Sequence, residues 1–216
     1  MDSIIFDLGN TLKKDLSVEL IRTFSRQVFK LNNLDRNIVE TFEQTLLKKL
    51  NSKDQSFTAK SVLTEIIHDN KKSDVVINQI SQELARRFVW NSNAARVLCQ
   101  LKKSGHDIFL LSNSIWNSKF YILENEEYFS YFTNVFFSDQ TGYRKPSLKA
   151  FLNIIDYYGL LTNHVWMIGD SEKNDILPAK GIGIKTIRIA DDNNTEADYK
   201  CNSLLEITNI INIEGE

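Results

Sequence analysis

The chain has 216 residues, of which 42% are hydrophobic and 25% are charged, and its formal net charge is −2. This length and composition predict one large globular domain, or a main domain with one insertion, that is big enough to bury a hydrophobic core. A charge so close to zero gives no reason to expect nucleic acid or an anionic membrane as a partner, and no apolar run is long enough to span a bilayer.

The first predicted element is a short buried strand at residues 4–6. It is followed by Asp7 and then by the turn-forming residues Gly9 and Asn10. Such a strand places the Asp7 carboxylate at its C-terminal tip, which in a parallel sheet is the side where ligands bind. Asp7 is therefore a candidate nucleophile, although an aspartate in such a sequence is also an ordinary turn former.

Residues 14–91 predict a helical insertion, because they contain helical periodicity and no clear strand. The four apolar stripes are Val18, Ile21, Phe24 and Val28; Leu34, Ile38, Phe42, Leu46 and Leu50; Val62, Leu63, Ile66 and Ile67; and Val76, Ile80, Leu84 and Phe88. Polar stretches, such as residues 51–56, separate them. We expect an all-helical domain at residues 14–91, inserted between the core segments 1–13 and 92–216.

Strands and helices alternate in the second half of the chain. Three apolar runs predict buried strands, and a fourth run of alternating polarity predicts a strand nearer the edge, at residues 108–111, 135–137, 165–168 and 186–189. The helical patterns end at Gly105, Gly159 and Gly181. This alternation implies right-handed crossovers and an α/β fold, with a Rossmann-like, doubly wound parallel sheet and an inserted helical cap.

Polar side chains follow the predicted strands at their carboxyl ends, where an open parallel sheet binds its ligands. They are Asp7 after the first strand, Ser112 and Asn113 after the second, Lys145 after the third, and Asp170 and Asp175 after the fourth. This rim of the sheet therefore gathers acids, a hydroxyl, an amide and a cation. Structural alternatives remain, since Ser112 and Asn113 also fit a helix N-cap and Asp175 also fits a helix cap.

In order and strand-end placement, these residues resemble the motifs of the haloacid dehalogenase-like (HAD) superfamily of phosphotransferases. Asp7 with Thr11 resembles the first motif, Ser112 the second, Lys145 the third, and Asp170 with Asp175 the fourth. The helical insertion lies where this family has its C1-type cap. The run Asp7-Leu8-Gly9-Asn10 is similar to the first motif of the family's sugar-phosphate phosphatases.

The resemblance implies an aspartyl-phosphate on Asp7 and a Mg²⁺ ion beside it. Elementary chemistry agrees, because two anions must approach each other and a divalent cation screens their repulsion. Oxygen ligands suit Mg²⁺, which keeps several of its waters. The expected ligands are Asp7, the Gly9 carbonyl, Asp170 and Asp175, where Asp175 either binds the ion or orients its water.

Phosphate binding is expected from Ser112, Asn113 and Lys145. The hydroxyl and the amide donate hydrogen bonds to phosphoryl oxygens, and the ammonium neutralises charge between nucleophile and phosphate. Lys145 is therefore predicted to be catalytic together with Asp7. The position before Pro146 selects Lys145 over the adjacent Arg144, which is interpreted as solvated.

Gly9 departs from the resembled pattern. Phosphatases of that family usually have a second aspartate two residues after the nucleophile, where it acts as general acid and base. Loss of such a group lowers a rate by about 10²- to 10⁴-fold, so we expect a substrate with a good leaving group, such as an acyl phosphate or an anomeric sugar phosphate. A cap residue or water is the alternative proton source. The hinge residues Lys13, Lys14 and Asp15 are interpreted as a solvated linker rather than as substrate contacts.

These residues favour a Mg²⁺-dependent phosphatase that hydrolyses a small phosphorylated metabolite. One alternative is a metal-free 2-haloacid dehalogenase, in which Asp7 attacks carbon. Asp170 and Asp175 argue against it, because their charges are uncompensated without a cation. A second alternative is a non-catalytic member that binds a ligand or a protein, for which Gly9 is the argument.

The two cysteines, Cys99 and Cys201, lie far apart and lack the spacing of a metal site or a disulfide framework. A reducing compartment suits them. The first predicted strand begins near residue 3, so we expect no signal or transit peptide ahead of it. We predict a cytoplasmic protein, and the oligomeric state is left open.

Overall fold

The structure is a computed structural model that describes residues 2–52, 57–192 and 194–214. Part of the predicted polar stretch, residues 53–56, lies outside the described residues. A six-stranded parallel sheet forms the central layer, and a two-stranded antiparallel ribbon lies beside it. The strands are β1 Ser3–Phe6, β2 Lys13–Lys14, β3 Val89–Trp90, β4 Asp107–Ser112, β5 Asn134–Phe137, β6 Val165–Gly169, β7 Lys185–Ile189 and β8 Tyr199–Cys201.

Helices cover both faces of the sheet and form the insertion. They are α1 Val18–Leu31, α2 Arg36–Leu50, α3 Ala59–Ile67, α4 Asn70–Ala85, α5 Ala94–Lys103, α6 Lys119–Glu124, α7 Glu126–Phe129, α8 Ser138–Thr141, α9 Leu148–Tyr158, α10 Leu177–Lys180 and α11 Ile207–Glu214. A π-helical turn, Glu172–Ile176, precedes α10. Among the described residues, no helix is both long and apolar enough to cross a membrane.

β1 lies in the middle of the sheet, whose order is β5-β4-β1-β6-β7-β8. Ile4 and Phe6 pack against α5 and α11 on one face, and Ile5 packs against α9 on the other. A strand buried on both faces has a continuous apolar run rather than an alternating one, which is why the sequence signal at residues 4–6 is uninterrupted. The predicted Rossmann-like α/β fold with a helical cap is confirmed.

The helices α1 to α4 share a second hydrophobic core, in which Phe29 and Phe42 meet edge to face at 5.1 Å between ring centroids. Each helix begins after a residue whose side chain accepts a hydrogen bond from a backbone N–H three residues later. These caps are Ser17, Asp35, Thr58 and Asp69. Such a cap stabilises a helix by about 0.5–2 kcal/mol, so the residue at which each of these four helices begins is determined by its own local sequence.

Two short strands connect this helical cap to the core, and sequence analysis missed both. β2 pairs with β3, so that Lys13 lies opposite Trp90 and Lys14 opposite Val89. Two-residue strands are too short to produce a periodic signal. α4 accordingly ends at Ala85, and the predicted stripe residue Phe88 lies beyond it. The predicted domain boundary between residues 13 and 14 falls inside β2, and the division of the chain at residues 13/14 and 91/92 stays a prediction.

Two further details differ from expectation. The strand predicted at residues 186–189 is present as β7 and lies next to the edge of the sheet, as expected, but β8, which was not predicted, forms the edge itself. Val18 is 64% exposed although it belongs to the first predicted apolar stripe. The reason is its position at the start of α1, where it lines the space between cap and core instead of packing inside the cap.

Candidate active site

The predicted site residues meet at the carboxyl ends of four neighbouring strands. Asp7 directly follows β1, and Ser112 is the last residue of β4. Lys145 lies in the loop after β5 and α8, and Asp170 directly follows β6. Because β5, β4, β1 and β6 are adjacent and parallel, their carboxyl ends share one edge, and these side chains line one cavity there.

Lys145 is the central cation of the site. Its Nζ lies 2.6 Å from Asp7 Oδ1 and 2.6 Å from Asp175 Oδ1. All three residues are buried, with exposed fractions of 3% for Lys145, 8% for Asp7 and 1% for Asp175. Burial disfavours the charged amine, but the two carboxylates outweigh it and raise the pKa of Lys145 above its ordinary value. The ammonium therefore stays charged beside Asp7.

Carboxylates outnumber ammonium groups in the immediate surroundings of Asp7. Burial raises the pKa of Asp7 to about 6, although the Lys145 ammonium lowers it, and the Asp175 carboxylate adds to the increase. Burial and then the charge of Asp7 also raise the pKa of Asp170. The Lys145 ammonium thus faces the carboxylates of Asp7 and Asp175, with Asp170 beside them, and this local excess of negative charge favours the binding of a further cation.

The donor set fits a hard divalent cation such as Mg²⁺. One carboxylate oxygen each of Asp7, Asp170 and Asp175 lies within 4.8 Å of the others. Gly9, whose carbonyl is the fourth predicted ligand, lines the same cavity. Mg²⁺ binds through one or two carboxylates and keeps waters, so this oxygen-rich group suits it.

Asp175 is held more firmly than the other two acids. Its Oδ1 binds Lys145, and its Oδ2 accepts a hydrogen bond from the Ser171 N–H at 3.0 Å. Gly169 makes room for it, because a Cβ at position 169 would lie 2.7 Å from the Asp175 Cβ. With both oxygens engaged, Asp175 is better suited to orienting Lys145 and a metal-bound water than to direct coordination.

Asn113 bridges two strand ends. Its Nδ2 donates to the Lys145 carbonyl oxygen at 2.9 Å, and its Oδ1 accepts from the Lys145 N–H at 2.8 Å. Sequence analysis predicted Asn113 as a phosphate ligand and did not foresee this bridge. The second N–H of the Asn113 amide is still able to donate to phosphate. Phosphate binding by Asn113 therefore stays a prediction, in addition to its observed contact with the Lys145 backbone.

The loop after Asp7 brings a residue into the cavity that sequence analysis assigned to a solvated linker. Asn10 has a left-handed backbone with φ of 50°, and its Oδ1 accepts a hydrogen bond from the Asp15 N–H at 3.2 Å. The Asp15 carboxylate forms an ion pair with the Lys13 ammonium. Both residues line the cavity that contains Asp7. The sequence around Asp15 has no periodic pattern that indicates a role for it. The one available indication is that Asp15 is the first acidic residue after Asp7.

The cavity has a volume of about 520 Å³ and lies between the core and the cap. The core contributes the charged residues, and the cap contributes apolar side chains. The apolar lining from the cap includes Val18, Ile21, Leu50 and Leu84. A volume in this range and a mixed lining are typical of small-molecule sites.

Arg144 also lines this cavity and is half-buried rather than fully solvated. Its guanidinium lies over the Phe57 ring, 5.5 Å from the centroid. Within the described part of the chain, its buried Nη1 has no hydrogen-bond partner. Burial lowers the pKa of Arg144, but an arginine stays charged at neutral pH. A buried donor without a partner at a cavity wall is suited to a polar group of a ligand.

Known proteins resemble this chain along nearly its whole length. A family model described as haloacid dehalogenase-like hydrolase matches residues 4–189. The glyceraldehyde 3-phosphate phosphatase of Methanocaldococcus jannaschii is 25% identical over an alignment of 226 positions that covers 96% of this chain and 96% of the relative.

Solved structures share the fold, and two of them illustrate the range of named activities. The HAD phosphatase from Thermococcus onnurineus has a TM-score of 0.74 at 19% identity and covers 98% of both chains. The 2-haloacid dehalogenase from Pseudomonas syringae pv. Tomato has a TM-score of 0.76 at 15% identity and covers 99% of both chains. At these identities the likeness is one of fold, and it does not separate phosphatase from dehalogenase. Since the family model spans most of the sequence, the chain belongs to the haloacid dehalogenase-like hydrolase family.

Proposed function

We propose that this hydrolase is a Mg²⁺-dependent phosphatase that hydrolyses a small phosphomonoester through an aspartyl-phosphate on Asp7. The observation that carries the proposal is the arrangement around Asp7. Lys145 Nζ lies 2.6 Å from it, and oxygens of Asp170 and Asp175 lie within 4.8 Å of one of its own. A carboxylate between a buried ammonium and a divalent-cation site is equipped to attack phosphorus, because both cations reduce its repulsion from the phosphate.

Each residue has a distinct task in this reaction. Asp7 attacks the phosphorus, and Lys145 holds the Asp7 carboxylate and neutralises charge as the two anions meet. Ser112 donates its hydroxyl, and Asn113 its remaining N–H, to phosphoryl oxygens. Asp7, Asp170 and the Gly9 carbonyl would hold the Mg²⁺ ion, and Asp175 would orient Lys145 and a water of the ion. When bound, Mg²⁺ polarises the phosphoryl oxygens.

The substrate proposed is a small sugar phosphate. The cavity of about 520 Å³ accommodates a metabolite rather than a folded phosphoprotein. The relative in Methanocaldococcus jannaschii is named for glyceraldehyde 3-phosphate, which supports this class. Arg144 offers an unused donor at the cavity wall, so a second polar group on the substrate fits the site.

The dehalogenase alternative is weaker. Burial raises the pKa values of Asp7 and Asp170, and neighbouring carboxylates add to the increase, so a metal-free site holds these charges at a cost that a bound cation would offset. In this proposal, residues 1–13 and 92–216 form the catalytic core and residues 14–91 form the cap. The protein is proposed to act in the cytoplasm.

Activity assays test the proposal. We expect hydrolysis of p-nitrophenyl phosphate that requires Mg²⁺, is abolished by EDTA and by Asp7→Asn, and is strongly weakened by Asp170→Ala. Glu40→Gln removes a surface ion-pair partner of Arg36 and is the matched control, expected to retain activity. Equal rates for wild type and Asp7→Asn across divalent metals would refute the phosphatase, and metal-free release of halide from 2-haloacids would favour the dehalogenase.

A further inference from the structure

Asp15 occupies the space that a side chain at position 9 would fill. A Cβ built on Gly9 would lie 2.8 Å from Asp15 Oδ1, 2.9 Å from Oδ2 and 3.1 Å from Cγ. Gly9 does not have a positive φ, so its backbone conformation does not require glycine. The glycine is instead explained by space, because a larger residue there would displace the Asp15 carboxylate.

Several contacts hold Asp15 in this place. It directly follows β2, whose Lys13 pairs with Trp90 of β3, so the ribbon between core and cap fixes the chain just before it. Asn10 accepts a hydrogen bond from the Asp15 N–H at 3.2 Å. The Lys13 ammonium forms an ion pair with the carboxylate itself. Residues Asn10 and Lys13, which follow Asp7 in the chain, thus position the Asp15 carboxylate.

The Asp15 carboxylate is accessible and shares a cavity with Asp7. Its side chain is 49% exposed and lines the cavity that contains Asp7. An acid at the opening between core and cap can reach a leaving group that extends from a phosphate bound at Asp7.

We propose that Asp15 supplies, from the hinge, the general acid and base that the first motif lacks at Gly9. This inference rests on the proposed phosphatase function. As the Asp7 oxygen bonds to phosphorus and the ester P–O bond breaks, protonated Asp15 gives its proton to the departing oxygen. The Asp15 carboxylate then takes a proton from the water whose oxygen attacks phosphorus. The Asp7–phosphorus bond breaks, inorganic phosphate leaves, and Asp15 is again protonated.

The competing role for Asp15 is structural, as an anchor for Lys13. The dependence of kcat/KM on the leaving group separates the two roles, because kcat/KM reports the first phosphoryl transfer. Asp15→Asn keeps the shape of the side chain but cannot transfer a proton. We expect it to lower kcat/KM by about 10²- to 10⁴-fold for alkyl phosphates such as glycerol phosphate. For p-nitrophenyl phosphate, whose leaving group needs no proton, the loss should be less than about tenfold.

The second half of the reaction gives a readout other than overall turnover. Asp15→Asn also removes the base that activates water, so the phosphoenzyme should accumulate with p-nitrophenyl phosphate. Stopped-flow measurement should then show a burst of nitrophenolate whose amplitude equals the enzyme concentration. A purely structural Asp15 would produce no burst.

Moving the carboxylate provides a rescue experiment. Asp15→Gly empties the space beside Gly9 that the Asp15 carboxylate fills. Adding Gly9→Asp places a carboxylate in the same space, now carried by residue 9. On alkyl phosphates, the kcat/KM of the double variant should be at least about tenfold higher than that of Asp15→Gly alone. Such a recovery is part of the about 10²- to 10⁴-fold that a general acid and base contributes. Asp74→Asn is the matched control, since Asp74 is also ion-paired and 46% exposed.

The outcomes distinguish this inference from the function on which it rests. Lys13→Gln removes the ion pair but keeps the Asp15 carboxylate, so its loss of kcat/KM on alkyl phosphates should be smaller than that of Asp15→Asn. Losses equal to those of Asp15→Asn on every substrate would assign Asp15 an anchoring role for Lys13 and overturn the inference. So would a uniform loss in Asp15→Asn, provided that thermal unfolding shows an intact fold. In both cases Asp7-dependent hydrolysis by the wild type would still support the phosphatase. If the wild type shows no Asp7-dependent hydrolysis, the proposed function itself fails.

Discussion

The side-chain amide of Asn113 holds the backbone of Lys145 from both sides. Nδ2 donates to the carbonyl oxygen at 2.9 Å and Oδ1 accepts from the N–H at 2.8 Å. The contact joins the end of β4 to the loop after α8, two segments 32 residues apart in sequence. Lys145 in turn contacts Asp7 and Asp175. The position of the proposed catalytic ammonium therefore depends on an amide that follows the neighbouring strand.

Asn113→Ala should lower both stability and activity. A net hydrogen bond contributes about 0.5–1.5 kcal/mol, so losing two should reduce the free energy of unfolding by about 1–3 kcal/mol. The Lys145 loop would lose its anchor, and kcat should fall as well. Denaturant unfolding and steady-state kinetics on p-nitrophenyl phosphate check this. An unchanged free energy of unfolding with only a raised KM would reduce Asn113 to a phosphate ligand.

Mg²⁺ should stabilise the protein more at neutral than at acidic pH. In the metal-free protein the pKa of Asp7 is raised from 3.8 to about 6. Below pH 3.8 both the folded and the unfolded protein hold the Asp7 proton. As the pH rises from 3.8 to about 6, the unfolded chain releases this proton before the folded protein does, so Asp7 makes the folded state progressively less stable. Mg²⁺ competes with protons for the same carboxylates, and its binding releases them. The increase in Tm on adding Mg²⁺ should therefore be larger above about pH 7 than below about pH 5.

Asp170→Asn is the comparison for this measurement, because it removes a proposed ligand while keeping the side-chain shape. Its Tm should respond much less to Mg²⁺ at neutral pH. Equal Mg²⁺-induced shifts at both pH values, or in both proteins, would contradict a metal site built on Asp7 and Asp170.

Gly169→Ala should disable the site through Asp175. The added methyl group would lie 2.7 Å from the Asp175 Cβ, so the carboxylate must move and release Lys145. Overpacking of this kind destabilises by about 1–3 kcal/mol. We expect loss of phosphatase activity together with that loss of stability.

Gly159→Ala is the matched control for Gly169→Ala. Gly159 ends α9 with φ of 63° and has open space around its Cβ position. The alanine should reduce stability by about 1 kcal/mol through backbone strain alone and leave activity unchanged. If Gly169→Ala retains the wild-type kcat/KM, the placement of Asp175 is not essential.

Arg144→Gln should change substrate preference rather than chemistry. The guanidinium has a buried donor without a partner in the described residues, so a polar group of the substrate is expected to meet it. A hydrogen bond from a charged group contributes about 1.5–3 kcal/mol, which corresponds to a rise in KM of about 10- to 150-fold for sugar phosphates. The KM for p-nitrophenyl phosphate should change little.

Arg26→Gln, which breaks an exposed ion pair with Glu43 in the cap, provides the comparison for Arg144→Gln. It should leave the KM values for both substrates as in the wild type. An equal increase in KM for sugar phosphate and aryl phosphate in Arg144→Gln would mean that Arg144 binds the phosphoryl group itself.

The sequence predicts this fold well where burial dominates. β1, β4, β5 and β6 each contain a run of consecutive apolar residues, most of them buried, and a parallel sheet then brings Asp7, Lys145 and Asp170 to one edge. The family resemblance adds the order of the motifs. These features depend on patterns within short segments, which a single sequence displays directly.

The details that sequence analysis missed depend on contacts between segments. β2 and β3 have two residues each and exist because they pair with each other. The approach of Asp15 to Gly9 depends on the left-handed Asn10 and on the ribbon, and no periodicity encodes it. The Asn113–Lys145 contact is likewise invisible before the sheet is assembled. Position 9 therefore looked like a simple loss of an acid, whereas the structure shows another acid beside it.

The central claim is that Asp7 is the phosphoryl acceptor, and trapping the intermediate tests it most directly. Wild-type protein with Mg²⁺ and p-nitrophenyl phosphate is quenched in acid within milliseconds, digested and analysed by mass spectrometry. We predict that the peptide containing Asp7 gains the mass of one phosphoryl group, and that Asp7→Asn shows no such peptide. A phosphoryl group on a different residue, or ¹⁸O from labelled water in the Asp7 carboxylate after turnover of a 2-haloacid, would contradict the account.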